Sequence, residues 1–369
     1  MADVTVTGGS GRPALTLNYS STDTAYNNAV ALAQFITDSY STTAAEYYPD
    51  PVVGTSPYLV VTNAEATGAV VGGLGFSAIT VQNNSGPVTV YGGGSASQTV
   101  LAADGGMTFS ASSGDTTVVA GGGNNYIKFG SGTNEAITST GNDTIVSGHG
   151  NAQIDAGGGD NLIRTGSGSD TITVEGTDTV YAGSGYDTVQ VTGSGSALVK
   201  GGTAFGHITF IGGSASSTVR GGNASVTVSG GAGGGTFIGG SSGDNSITGG
   251  SGAATILGGG SGDTLTGGSG NDLIYAGSGN ETLNAGTGKD EFVFKPGRDG
   301  GTGSTDQINN FSISEHDKLW VGPFGDSSAR DYAIDHQTVS GGNDTILLQD
   351  GTKLVLIGVN SELGPNSII

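Results

Sequence analysis

Four consecutive nine-residue units place an acidic side chain at the same step of a glycine-rich turn: Gly258-Gly-Gly-Ser-Gly-Asp-Thr-Leu-Thr, Gly267-Gly-Ser-Gly-Asn-Asp-Leu-Ile-Tyr, Ala276-Gly-Ser-Gly-Asn-Glu-Thr-Leu-Asn and Ala285-Gly-Thr-Gly-Lys-Asp-Glu-Phe-Val. The acidic residues are Asp263, Asp272, Glu281 and Asp290. Carboxylates among turn carbonyls suit a hard cation such as Ca2+, which gathers about six to eight oxygens. Glycine takes the positive φ that such turns need and lets carbonyls approach an ion. If one coil holds two units, every second turn falls on the same edge, which lays Asp263 over Glu281 and Asp272 over Asp290. Like charges stacked this way repel unless a divalent cation lies between them.

The register continues upstream in Gly141-Asn-Asp, Gly168-Ser-Asp, Gly176-Thr-Asp and Gly185-Tyr-Asp, which supply Asp143, Asp170, Asp178 and Asp187. Asp170 and Asp187 are two units apart and form a further candidate pair. For any of these carboxylates the competing role is a turn in which Asp bonds its own backbone.

A repeating apolar side chain must position these turns. Val90, Val100, Phe109, Val118, Ile127, Ile137, Ile145, Ile154, Ile163, Ile172, Val180, Val189, Val199, Ile208, Val219, Val228, Phe237, Ile247, Ile256, Leu265, Ile274, Leu283 and Phe292 follow one another at eight to eleven residues, and fifteen of the 22 steps are nine. In a chain only 34% hydrophobic, so short and unbroken a period predicts a stacked β-solenoid whose repeats do not fold singly. The residue before the apolar one is Thr in 14 of 23 units, which predicts a ladder of threonines on an outer face.

Residues 267–275 match the nonapeptide G-G-x-G-x-D-x-U-x in full. The chain resembles the RTX, or haemolysin-type, β-roll proteins over more than half its length. That resemblance implies a parallel β-roll binding several Ca2+ ions, with the turn carbonyls of Gly268, Gly270, Gly277 and Gly279 completing the shells around the four carboxylates. It also implies that the C-terminal part serves as a cap and export signal. Between residues 197 and 254 the acidic place is filled by Ala, Gly, Ser or Val, and units between 83 and 130 also lack Asp there. The roll is therefore expected to be calcium-loaded only in part.

The expected fold class is all-β. A β-roll of nine-residue repeats over 83–293 is flanked by a small mixed unit over 1–82 and a small antiparallel β cap over 294–369. In the first flank, Tyr26, Ala29, Val30, Ala33, Phe35 and Ile36 lie near a helical period behind Thr22 or Asp23 as N-cap. Pro49-Asp50-Pro51 stops that helix, and Tyr58 to Val61 and Ala78 to Val81 read as strands. This tyrosine-dense flank is expected either to cap the open end of the solenoid or to serve as an assembly surface. In the last flank, the segments at Asp306 and Asp317 read as one strand pair, and Asp344-Thr-Ile and Lys353-Leu-Val read as another across Asp350-Gly351.

A formal net charge of −21 disfavours nucleic acid and anionic lipid as partners and favours cations. The chain has no Cys and hence no disulfides. No apolar stretch reaches transmembrane length, and membrane insertion is not expected. The start lacks the pattern of a cleaved signal peptide, so export is expected through a type I secretion machinery reading a signal near 330–369. A thin core, costly ordering of glycine and weak extracellular-type calcium affinity together predict folding on calcium after export. No His-Glu-x-x-His occurs, and Gly239-Gly-Ser-Ser-Gly sits in a repeat turn without a nucleophile elbow. An enzyme is therefore not expected. The function expected is a secreted calcium-binding structural protein that self-associates at the bacterial surface or in the extracellular matrix, as an S-layer, filament or biofilm scaffold. The alternative is an adhesin or other ligand-binding module, with cell-surface polysaccharide as a partner. An ice-binding version would use the Thr ladder, although Lys128, Arg164, Lys200 and Arg220 interrupt that face.

Overall fold

Most short strands of the repeat bury one or two apolar residues, and the glycine-rich turns send successive strands to opposite ladders. The structure, a computed structural model, describes residues 2–6, 14–19, 24–40, 46–48, 58–62, 70–73, 77–82, 88–92, 97–295, 303–322 and 327–369. The chain forms a parallel β-solenoid with two helices, Thr24–Tyr40 and Ser327–Asp335, among the described residues. It divides into two compact units, Met1–Asp187 and Thr188–Ile369.

In the first unit, successive strands alternate between two parallel ladders. One pairs Val118 with Ala136, and the other pairs Ile127 with Ile145, so one coil holds two nonapeptides. The same spacing recurs in the second unit, where Leu265 pairs with Leu283 and Ile256 with Ile274. All 23 apolar positions of the period are buried. Two of them are not the in-register residue. Ala136 pairs with Val118 and Ile154, so Ile137 lies one step past the row. Phe210 pairs with Val228, so Ile208 lies two steps before it. Ala136 and Ile137 are adjacent, and the sequence does not say which one faces inward; Ile208 and Phe210 lie two apart on the same face and both are buried, so there the count picks one of two inward residues.

The parallel ladders run past both composition boundaries. Strands Glu46–Tyr48, Tyr58–Thr62, Val70–Gly73 and Ala78–Gln82 already pair in parallel. Some of their coils are longer than two nonapeptides, as between Leu59 and Ile79 and between Ile79 and Val100. That spacing hides them from a nine-residue count. Beyond 293, Thr305–Asn309 continues one ladder on Thr282–Gly286, and Lys318–Val321 continues the other on Glu291–Phe294. These two segments were expected to pair with each other. They join opposite ladders instead, because each begins with the same Asp-x-apolar step as a repeat. The pair Asn343–Leu347 and Lys353–Leu356 is antiparallel, as expected. Helix Ser327–Asp335 was not foreseen, nor was the antiparallel pair Ala2–Val6 with Leu15–Tyr19.

The first helix buries Ala25, Ala29, Ala33 and Ile36, spaced to share one face. With Val4, Val6 and Leu17 they cover Leu101, Ala103, Val119 and Ile137. Leu101 and Val119 directly follow the in-register residues Val100 and Val118, and therefore point outward from the roll. The helix thus lies on the lateral face of the ladder, not on the open end that the sequence suggested. Val30 and Phe35, counted with its apolar face, are 44% and 53% exposed. The expected N-cap and the Pro49-Asp50-Pro51 stop lie outside the described residues, as do the side chains of Tyr19, Tyr40, Tyr47, Tyr48 and Tyr58.

Candidate metal centre

The turns of the second unit stack their acidic residues into two rows, one on each edge. On one edge the Asp263 N–H donates to Glu281 Oε2, and the Glu281 N–H donates to Asp306 Oδ1 at 2.9 Å. On the other, the Asp272 N–H donates to Asp290 Oδ1 at 2.9 Å, and the Asp290 N–H donates to Asp317 Oδ1 at 2.8 Å. Each carboxylate thus bonds the backbone of the previous rung, and Asp317 also accepts the Ser312 N–H of its own turn through Oδ2 at 2.8 Å. The expected stacking of Asp263 over Glu281 and Asp272 over Asp290 is present.

Asp306 and Asp317 extend the rows and were missed. They stand 25 and 27 residues beyond their row partners, farther than two nonapeptides. Asp306-Gln-Ile and Asp317-Lys-Leu nevertheless repeat the Asp-x-apolar step of Asp263-Thr-Leu, and that was the available signal.

In the first unit, Asp170 meets Asp187 as expected, its N–H donating to Asp187 Oδ1 at 3.2 Å. Asp143 and Asp178 are on the other edge but do not touch. Asn161 stands between them, its Oδ1 accepting the Asp143 N–H at 2.8 Å and its N–H donating to Asp178 Oδ1 at 2.9 Å.

In four of the stacked carboxyl groups one oxygen is used and the other is left over. Oδ2 of Asp263, Asp272 and Asp290 and Oε1 of Glu281 are buried without a hydrogen-bond partner. Burying a carboxylate oxygen so costs free energy unless a proton or a cation meets it. Burial pushes the Glu281 carboxyl up to about 8, with the neighbouring charges of Asp263 and Asp306 adding to it. Burial, then the charges of Asp317 and Asp272, raises Asp290 to about 7. Asp187 rises to about 7 through burial and the Asp170 charge, and Asp178 to about 6 mainly through burial. Burial also raises Asp143, Asp170, Asp263 and Asp272.

The glycines shape a cradle around these oxygens. A Cβ on Gly258 would lie 2.6 Å from Asp263 Oδ2 and 2.1 Å from the Ala276 carbonyl oxygen. A Cβ on Gly267 would stand in the same relation to Asp272 Oδ2 and the Ala285 carbonyl, at 2.5 and 2.4 Å. Gly268 and Gly270 lie in the Asp272 turn; Gly277 and Gly279 lie in the Glu281 turn. Gly268, Gly277 and Gly279 have φ of 117°, 106° and 113°. A Cβ on Gly279 would lie 3.1 Å from Glu281 Oε1. Among the described residues no three His, Cys, Asp or Glu side chains converge. The donors these rows offer are carboxylate and backbone carbonyl oxygens, a set that fits Ca2+ and not a softer metal.

A family model, the RTX calcium-binding nonapeptide repeat, matches four segments: residues 130–163, 137–172, 155–189 and 257–292. The matched segments contain all eight carboxylates singled out by spacing. These are RTX calcium-binding nonapeptide repeats. RTX repeats bind calcium ions, and the leftover oxygens of the rows are where this chain has oxygen donors to offer them. No curated protein matches the chain. Among solved structures it is similar to the extracellular lipase LipA from Serratia marcescens, at 14% identity and a TM-score of 0.20. The match covers 93% of this chain and 47% of that one, so the chain spans about half the length of the lipase. A likeness this weak carries no argument about activity.

Outside the rows, His149 Nδ1 and His207 Nδ1 each meet a serine hydroxyl at 2.9 Å, Ser167 and Ser225 one rung on. Ser241, within Gly239-Gly-Ser-Ser-Gly, donates to Asn223 Oδ1 at 3.3 Å. These are rung-to-rung contacts of the ladder. Among the described residues no helix is long and apolar enough to cross a membrane.

Proposed function

We propose that this chain is a secreted, calcium-loaded scaffold that completes its fold outside the cell and self-associates at the bacterial surface or in the extracellular matrix. One observation carries the calcium-coupled part: buried carboxylate oxygens face carbonyls in successive rungs with nothing to pair them. A roll built this way is fully stable only where calcium is plentiful, and extracellular calcium modules bind at about 10⁻⁴–10⁻³ M. The ligands proposed are Asp263, Glu281, Asp272 and Asp290, with Asp170 and Asp187 as a further pair and the carbonyls of Gly268, Gly270, Gly277 and Gly279 beside them. Asp143 and Asp178 contribute singly.

Export is proposed to be type I, through residues 330–369. Deleting those residues is expected to leave the protein inside the producing cell. Undiminished secretion of the shortened chain would overturn this.

Self-association is supported by two exposed aromatics, Tyr186 on a strand at 73% and Phe205 in a connecting turn at 79%. Electron microscopy and light scattering of the full chain test it. Ordered polymers in calcium that dissolve on chelation are expected. A monodisperse monomer with and without calcium would sink assembly and favour the second reading, an adhesin that binds cell-surface polysaccharide. That reading draws on the threonine column Thr218, Thr236 and Thr255, each half-buried on the outer face.

A further inference from the structure

Four asparagines stand where the rows elsewhere have acids. Asn125, Asn134, Asn161 and Asn245 are buried, and each Oδ1 accepts the backbone N–H of the previous rung, from Met107, Thr116, Asp143 and Val226 at 2.8–3.2 Å. The acids of the rows accept the same bond. The difference lies at the other atom of the side-chain head. Asn245 Nδ2 donates to the Gly240 carbonyl at 3.0 Å, to the Gly258 carbonyl at 3.3 Å and to Asp263 Oδ1 at 2.8 Å. Asn125 Nδ2 does the same with the Gly121 and Gly123 carbonyls and Asp143 Oδ1, at 3.2, 3.0 and 3.0 Å. Asn161 Nδ2 donates to the Ala156 carbonyl at 3.2 Å.

The cradle around Asn245 is the one seen at Asp263 and Asp272. A Cβ on Gly239 would lie 2.8 Å from Asn245 Nδ2 and 1.7 Å from the Gly258 carbonyl oxygen. One rung on, Asp263 Oδ2 takes the place of Nδ2 and the Ala276 carbonyl that of Gly258. At Asn245 an N–H faces the carbonyl and a hydrogen bond closes. At Asp263 two acceptors face each other, and only a positive charge or a proton satisfies both. Asn245 also has no oxygen left for an ion, since its Oδ1 accepts from both Val226 and Gly240.

We propose that Asn245 is a calcium stop. Its amide group stands in for the ion, ends the calcium row at Asp263 and lets the preceding turns close without metal. Asn125 and Asn161 play the same part in the first unit, where Asn161 keeps Asp143 and Asp178 from forming a continuous row. This rests on the calcium-binding role proposed for Asp263 and Glu281, and the experiment separates the two.

Bound calcium per chain is counted by equilibrium dialysis at saturating Ca2+ for the wild-type full chain, Asp263→Asn and Asn245→Asp, with thermal melts beside it. Asp263→Asn is expected to lower the count. Asn245→Asp is expected to add one ion, to lower the melting temperature without calcium, and to recover it with calcium. An unchanged count in Asp263→Asn overturns the row itself. A lowered count there with no added ion in Asn245→Asp overturns the stop alone, as does an Asn245→Asp chain that stays unfolded in saturating calcium. Asn161→Asp repeats the test in the other unit, and its count is expected to rise as well.

Discussion

Stripped of calcium, the protein is expected to be less stable at pH 8 than at pH 5, and calcium is expected to stabilise it most at pH 8. Glu281 is raised to about 8, Asp290 and Asp187 to about 7, and Asp178 to about 6. Unfolded, these groups titrate near pH 4. A group whose folded pKa lies above its unfolded value keeps its proton longer in the fold. The stability it lends is fully present below about pH 4 and is lost as pH rises through the folded value. The calcium-free fold therefore weakens between about pH 4 and pH 8, as the buried carboxyls lose the protons that paired their leftover oxygens. Calcium replaces those protons, and each ion at a hundredfold excess over its dissociation constant adds about 2.7 kcal/mol. Thermal melts of metal-stripped protein at the two pH values, with and without millimolar Ca2+, read this directly. Trp320, the single tryptophan, reports on the second unit, with its indole N–H on Glu291 Oε2 at 3.1 Å. Glu281→Gln cannot ionise but keeps an oxygen for the Asp263 N–H. It is expected to flatten the pH dependence near pH 8 and to raise calcium-free stability there. A calcium-free melting temperature that is equal or higher at pH 8 would show that these carboxyls are not held as the structure has them.

Replacing Gly268 by Ala is expected to cost more than about 3 kcal/mol, whereas Gly358→Ala costs less. Both glycines have positive φ, 117° and 82°, a conformation that costs another residue about 1–3 kcal/mol. They differ in their surroundings. A Cβ on Gly268 would lie 1.9 Å from the Gly250 carbonyl oxygen, and nothing lies within 4 Å of one on Gly358. Gly250, Gly268 and Gly286 form a column of positive-φ residues, and a Cβ on Gly286 would in turn lie 2.0 Å from the Gly268 oxygen. No flexible side chain is there to yield, so the rungs must part, and a carbonyl proposed as a calcium neighbour moves with them. For a unit of this size about 3 kcal/mol reads as about 6–12 °C in melting temperature. Equal losses for the two variants would mean that the close stacking of rungs is not what fixes these glycines.

Much of this site was legible because the roll converts sequence spacing into spatial spacing. With two nonapeptides per coil, every second repeat along the chain is one step along a row. That is why Asp263 and Glu281, Asp272 and Asp290, and Asp170 and Asp187 could be matched from numbers alone. The same arithmetic failed wherever row partners stand more than two nonapeptides apart. Asp306 and Asp317 follow their row partners by 25 and 27 residues, and Ile79 pairs with Val100 across another overlong interval. Between residues 197 and 254 the acidic place was expected to hold only Ala, Gly, Ser or Val, but Asn245 occupies one of those turns, and it carries no charge to mark it. Hydrogen-bond geometry, and not charge, makes Asn245 equivalent to Asp263. The first helix was legible as a helix from its apolar period. Its seat was not, because Leu101, Val119 and Ile137 read as additions to the core and not as a second apolar face turned outward.

The short strand Gln337–Ser340 forms the outer edge of the C-terminal sheet, beyond Asn343–Leu347 and Lys353–Leu356. Its direction opposes that of its neighbour, and Thr338, Val339 and Ser340 are exposed. The other ladder ends under residues 367–369, where the Leu319 N–H donates to the Ser367 carbonyl at 2.7 Å and the Ile369 N–H to the Leu319 carbonyl at 2.8 Å. A parallel stack of near-identical rungs is a template for endless growth, and its bare end would recruit strands from any neighbouring chain. At this end the template is covered on one side and reversed on the other. A chain that pairs here meets an antiparallel edge and not a continuation of the parallel rungs, and fraying of these last strands would be the event that turns an orderly roll into a cross-β aggregate.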